Sequence, residues 1–442
     1  MQDSRGQGPP GDIGTYLMPC EVLVFHYTFS GTQYACAVRH GSRGWVLVSY
    51  LTVDATVMQA AMNALTAART WQETVVFQGN FVPAAALLAP NWTILSIHGK
   101  ITAGLSTNGI IQPASDPYSY ITIEGGLIDG ARGTWNSGAL YFATNNPSSL
   151  LTIRCVWIQN TNLTAVYIDN LSGGYIEDEW SNASDNMGIF LWHCNDLVAR
   201  NFGASGCTNE NVKLQTVFHC SFTDMGGGGS SNRNGQIYMV NSYDNVFTNT
   251  RCDYSATHGI YLYGSYDNDF VNTKITRGQA ANMVAIVLDT NCFRNRFVNT
   301  DINKLNGATN WAYAIYEQVG SDYNQYHIGN IRDCTNTIGG LGNQSRVSHI
   351  VGYNPVGNIA NPYSVGAGYL LDVAGAQAFP TTHTNYTVGH SEKLVTIYGG
   401  TVTQILVDGV ATGLTSGAFQ LKVGQVLHVD WTGQPSSQVY AQ

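Results

Sequence analysis

An alternating apolar strand, a polar turn ending in Asn and a short apolar echo recur along the middle of this chain. Nothing else in it limits the fold so strongly. The phrase is IYMVNSYDNVFTN at 237–249, GIYLYGSYDNDFVN at 259–272 and AIVLDTNCFRNRFVN at 285–299, with looser copies at 188–201 and 314–330. The closing residues Asn249, Asn272, Asn299 and Asn330 follow one another at 23, 27 and 31 positions, and Asn160, Asn182 and Asn201 carry the series backwards. A period of that length marks a repeat architecture, in which each unit buries its apolar face only by stacking on the next.

The residue types decide which repeat. Each unit holds two or three short runs of period-2 alternation, β-branched and aromatic, broken by Gly, Asn, Asp and Ser, with no amphipathic helix among them. The units are coils of a β-solenoid. Stacked coils place like residues above one another at about 4.8 Å, so an inward Asn in each coil can form a side-chain amide ladder. Ordinary turn chemistry is the other role open to those Asn residues.

A solenoid grows along one axis, so most of the 442 residues fit a single unit. Only 11% are charged, while Gly (48) and Tyr (25) abound, as stacked turns and half-buried strands require. A net charge of −9 excludes the basic stripe that nucleic acid needs. No apolar run is long enough to span a membrane. Nine scattered cysteines contain no CxxC pair, so they read as small core residues rather than a zinc site or a disulfide framework. The opening MQDSRGQGPPGDIG has no signal-peptide core, which suggests a chain made without export or trimmed.

Five stretches follow. Residues 1–15 form a flexible Gly/Pro-rich lead with two Gly-X-Y triplets at Gly8, Gly11 and Gly14. Residues 16–50 alternate strongly and read as a β-rich head. Residues 51–350 are the solenoid, opened by a capping helix at about 54–66 with Asp54 as N-cap and Val57, Ala61, Ala64 and Leu65 on its buried face. Residues 351–382, rich in Gly, Ala, Asn and Pro, are a linker or irregular cap, and 383–442 a small β-sandwich.

The run DATVMQAAMNAL at 54–65, the strand Thr74–Phe77, GNFV at 79–82, LLAPNWTILSIHG at 87–99 and EGGLIDGARG at 124–133 together resemble the opening of the pectate lyase-like superfamily. The resemblance covers about residues 50–345 and implies an all-β, right-handed parallel β-helix. That superfamily contains polysaccharide lyases, glycoside hydrolases, epimerases and phage tailspikes, so the resemblance implies a polysaccharide partner more firmly than a reaction. The head resembles that of tailspike-like proteins, which implies a homotrimer and an extracellular or virion-associated place. The polygalacturonase-like motif set is not matched: its nearest strings are Ser184–Asn186, Asn209–Asn211 and the run Gly226–Gly229. Nor do the coils carry the Lys and Arg-His-Gly signatures of alginate-lyase-like β-helices, since Arg39-His40-Gly41 lies in the head.

Candidate residues therefore come from strand geometry. If Ile189, Leu191, Val212, Leu214, Ile237, Met239, Ile260 and Leu262 face inward, their neighbours face out. The outward face then reads Tyr167, Asp169, Phe190, Trp192, Lys213, Gln215, Tyr238, Tyr261, Tyr263 and Asp289, an aromatic stripe suited to the C–H faces of sugars. The turns before these strands carry Asn162, Asp185, Glu210, Arg233 and His258, one per coil. Asp185 and Glu210 on adjacent coils can act as a retaining glycosidase pair, or hold Ca²⁺, or point apart into solvent. Lys213, the one basic residue of the stripe, can abstract a sugar C5 proton if burial lowers its pKa, or can pair with Asp169 or Glu210. His193, His219 and His258 are further acid–base candidates. Three functions follow: hydrolysis needing no cofactor, metal-assisted elimination from a uronic polymer, and glycan binding without cleavage. The acidic charge disfavours a polyanion and tips the sequence reading towards hydrolysis.

Overall fold

The computed structural model describes residues 21–42, 44–229, 234–277, 283–304, 311–331, 334–340 and 345–351. Of the C-terminal part it describes 375–378, 385–387, 393–398, 401–422, 425–433 and 436–441. The lead at 1–15 and Arg233 lie outside these residues. The chain is a right-handed parallel β-helix with a β-rich head, a capping helix and a small C-terminal β-sandwich.

Each coil climbs one strand spacing. In a central coil, Ile237–Val240 is followed by Val246–Thr248 and Arg251–Ser255. The first of these belongs to an 11-stranded sheet with one strand per coil, and the other two to a 22-stranded sheet that also takes in the head. Parallel neighbours hold strict register: Ile237 pairs with Val212 below and Ile260 above. Ile189, Leu191, Val212, Leu214, Ile237, Met239, Ile260 and Leu262 are all buried in the coil interior.

Register turns identical residues into columns. Phe222, Phe247, Phe270, Phe297 and Tyr326 stack through the interior with centroids 4.4–5.4 Å apart. Beside them runs an interior amide ladder: Asn245 Nδ2 donates to Asn268 Oδ1 at 3.0 Å, Asn268 to Asn295 at 3.0 Å, and Asn295 to Asn324 at 3.1 Å. The ladder therefore exists, on residues four positions before the closing Asn249, Asn272 and Asn299 and six before Asn330. The closing residues Asn249, Asn272 and Asn299 are exposed and sit at φ +57°, +56° and +52°, the left-handed turn conformation that Asn tolerates. They form a second, outer ladder, with Asn299 Nδ2 on Asn272 Oδ1 at 2.8 Å and Asn272 Nδ2 on Asn249 Oδ1 at 3.2 Å. The side chain of Asn330 lies outside the description.

At the N-terminal end, strands Val22–Phe29, Thr32–Gly41 and Gly44–Leu51 form an antiparallel layer. Val22–Phe29 also pairs in parallel with Glu73–Phe81, so head and solenoid share one sheet. The helix runs Asp54–Asn63 and buries Ala55, Val57, Met58, Ala61 and Met62 against the first coil. Asp54 is not its N-cap; Val53 holds that position, with no side-chain capping bond. The Asp54 carboxylate instead accepts from His26 at 2.8 Å and from the backbone N–H of Val82 at 2.6 Å, tying helix, head and first coil together. Eight described cysteines are free thiols, six of them buried, as small core residues are.

The C-terminal sandwich has two four-stranded antiparallel sheets. Its core holds Ile397, Val402, Ile405, Phe419, Leu421, Leu427 and Val429. Strand Gly375–Ala378 pairs with Ser436–Ala441, so the sandwich begins inside the stretch the composition assigns to a linker.

Candidate functional site

The outward face of the 11-stranded sheet is built by register. Tyr141, Tyr167, Phe190, Lys213, Tyr238 and Tyr261 form one row, each directly paired with the next. Two residues further along the strands a second row reads Asp169, Trp192, Gln215, Val240 and Tyr263. Period-2 alternation puts both rows outside, and β-branched or apolar residues between them keep the coil interior dry.

The aromatic row is continuous except at Lys213. Tyr141 and Tyr167 stack at 4.9 Å, Phe190 meets Tyr167 edge-on at 5.2 Å, and Tyr238 meets Tyr261 edge-on at 5.4 Å. Lys213 fills the gap, its Nζ 4.6 Å from the Phe190 centroid and 5.8 Å from that of Tyr238. Burial between these rings lowers its pKa, and the negative charge of Glu210 offsets part of that shift. Among the described residues Lys213 makes no ion pair with Asp169 or Glu210, the partners open to it from the sequence.

Every carboxylate on or beside the face is engaged. Asp169 is buried and accepts from His193 Nδ1 at 3.1 Å, leaving His193 Nε2 on a half-exposed ring. His193 stacks on Trp192 at 4.7 Å, and Trp192 stacks on Phe190 at 6.1 Å. Trp192 Nε1 is buried without a hydrogen-bond partner. Asp289 accepts from the Tyr261 hydroxyl and from the Thr290 amide at 2.6 Å. Desolvation, with the nearby Asp169 and Asp289 charges, pushes the phenols of Tyr167 and Tyr261 well above the usual tyrosine range. Gln215 is half-buried and Tyr263 is 42% exposed.

The Asp185–Glu210 pair does not assemble. Val212 is in register with Ile189, which sets Glu210 level with Met187, two residues past Asp185. The two turns are equal in length, but the acids hold different positions in them, so counting one polar residue per coil misplaces them. Asp185 forms an ion pair with Arg132, and Glu210 is buried with Asn234 Nδ2 at 2.6 Å on its carboxylate. These residues do not fit a shared calcium site, and the described residues hold no cluster of three or more His, Cys, Asp and Glu suited to a metal. His258 is half-buried with Nδ1 within 3.1 Å of the Val284 carbonyl, and desolvation lowers its pKa. His219 faces Asp244 at 3.5 Å on a different turn.

No family model matches the sequence, and no curated protein matches it. Solved structures do. A double-mutant tailspike of E. coli bacteriophage HK620 aligns over 88% of this chain and 90% of its own, at 11% identity and TM-score 0.50. The A-module of mannuronan C-5 epimerase AlgE4 from Azotobacter vinelandii aligns over 70% of this chain and 96% of its own, at 19% identity and TM-score 0.47. The Dettilon tailspike aligns over 83% and 87%, at 11% identity and TM-score 0.48. At 11% identity the likeness to the HK620 tailspike is one of fold alone. No helix among the described residues is long and apolar enough to cross a membrane.

Proposed function

We propose that this protein is a polysaccharide-processing enzyme that lays a glycan along the aromatic row and cleaves it by β-elimination, with Lys213 as the base. One observation supports elimination over the hydrolysis favoured by charge: among the described residues the Lys213 amine has neither a hydrogen-bond nor an ion-pair partner, while Asp169, Asp185, Glu210 and Asp289 are each held by one. A retaining or inverting glycosidase needs two carboxylates facing each other across the scissile bond. Asp185 and Glu210 stand out of register.

In this reading the neutral Lys213 amine takes the C5 proton of a uronate unit. The electron pair forms the C4–C5 double bond, the C4–O bond breaks, and the leaving oxygen takes its proton from His193, whose Nδ1–H is held by Asp169. Phe190, Tyr238 and Tyr261 carry the flanking sugars, with Gln215 donating to their oxygens. The residues above do not fit calcium, so no step runs through a cation. The test is direct: purified protein is incubated with alginate, polygalacturonate and hyaluronan, and ultraviolet absorbance of the unsaturated product is followed together with reducing ends. Parallel rise of both supports elimination, reducing ends alone mean hydrolysis, and binding without either leaves a glycan-binding protein.

A further inference from the structure

The 22-stranded sheet carries a second outward surface that the elimination face does not use. Leu127, Trp157, Trp180, Gly203, Gly226 and Arg251 are in direct register on successive coils. From Trp157 to Gly226 the spacing is a constant 23 residues. The two glycines have a specific consequence. A Cβ at Gly226 would lie 2.9 and 3.0 Å from ring carbons of Trp180, and one at Gly203 would meet the same ring at 2.9 Å. The indole of Trp180 therefore lies over both glycines along the axis of the solenoid, one face on backbone and the other turned outward. Its Nε1 is anchored on Ser205 Oγ at 3.3 Å. Trp157, one strand spacing away, is 48% exposed.

Two residues along the strands runs a polar rail of Gln159, Asn182 and Ser205, in register. Ser205 Oγ donates to Asn182 Oδ1 at 3.1 Å. Within the two rows charge appears only at the ends and is paired, Lys100 with Asp129 at 2.7 Å below and Arg251 with Asp253 above; beside the rows Arg154 pairs with Glu124, Arg200 with Glu177, and Asp178 accepts from Asn201.

We infer that this strip is a second saccharide-binding site, for a neutral glycan running along the solenoid axis. A flat indole beside a half-exposed one supplies the apolar floor for C–H faces, and the amide and hydroxyl rail supplies donors and acceptors for sugar hydroxyls. The two rows carry no cation at their centre to hold a uronate, and the charges beside them are engaged with one another or with Asn201. The site stands on another face from Lys213, so it holds whether or not the chain cleaves anything.

The test is affinity electrophoresis of the full chain in gels cast with dextran, galactomannan or xyloglucan, beside a gel without polysaccharide. Retardation is expected in at least one gel. Trp157→Ala should weaken it about five- to tenfold in Kd, the worth of one lost aromatic platform. Gly226→Ala keeps both indoles but tilts Trp180 off the surface, and should weaken it too. Tyr238→Ala, on the other face, should leave it unchanged. Retardation lost in Tyr238→Ala but kept in Trp157→Ala would overturn this strip while leaving the elimination reading standing. No retardation in any gel would overturn it as well, without touching the uronate assay. Unfolding midpoints of each variant separate lost binding from lost structure.

Discussion

The amine of Lys213 lies 4.6 Å from the centroid of the Phe190 ring on the neighbouring coil, in the one gap of an otherwise aromatic row. A cation over a ring face is attracted by the ring quadrupole, but the same rings strip it of water. Desolvation wins here, and the pKa falls.

That fall sets a pH dependence. A base acts in its neutral form, so cleavage should rise with pH through the Lys213 pKa and level off below the ordinary lysine value of about 10.4. Lys213→Met should lower the rate by about 10²–10⁴-fold, and Lys213→Arg should fail equally because guanidinium does not deprotonate. For stability the sign is separate: a lowered folded pKa means the folded state disfavours the ammonium, so the cost is present at neutral pH and disappears above the unfolded pKa. Lys213→Met should therefore unfold at neutral pH no lower than the wild type, read by thermal denaturation.

Asp185→Asn and Arg132→Ala remove a partly exposed ion pair, which is worth about 0–1 kcal/mol. Cleavage should stay within about twofold of wild type, since no proton transfer is assigned to either residue. A loss of about 10²-fold in Asp185→Asn would return the reading to hydrolysis.

The two amide ladders should differ sharply in worth. Asn268 is fully buried, donates to Asn295 and to the Ser242 carbonyl at 2.9 Å, and accepts from Asn245. Asn268→Ala orphans several of these groups and should cost about 3 kcal/mol or more in urea unfolding. Asn272→Gly on the exposed ladder keeps the left-handed turn without strain and should cost under about 1 kcal/mol.

Glu179 is buried inside the coils, with Ser181 Oγ on one oxygen at 2.6 Å and no partner for the other. Desolvation pushes its pKa up to about 8. Its folded pKa exceeds its unfolded value of about 4.3, so the stability present at low pH is lost progressively as pH rises towards about 8. Glu179→Gln should match the wild type near pH 4 and exceed it increasingly up to about pH 8, in thermal melts across that range.

The fold was legible because strand alternation and a period of 23 to 31 residues are local signals that stacking makes global. Inward Ile237 and Ile260 followed from alternation alone. Turn geometry was not legible: the residue at φ +56° and the residue four positions before it are both Asn, and only register tells which faces inward. The same blindness misplaced Asp185 against Glu210: the two turns are equal in length, but Asp185 lies four residues before its strand and Glu210 two before its own. Trp180 lying on Gly203 and Gly226 left a trace in the constant spacing of 23, but a glycine at a strand position reads as a weak strand until the neighbouring coil supplies the ring.

The most direct measurement is the time course of ultraviolet absorbance and reducing ends released from alginate, polygalacturonate and hyaluronan by wild type and Lys213→Met side by side. Elimination at Lys213 requires both signals to rise together on at least one polymer with the wild type and both to vanish with the variant. Reducing ends without absorbance, a variant as active as wild type, or no product from any polymer would contradict it.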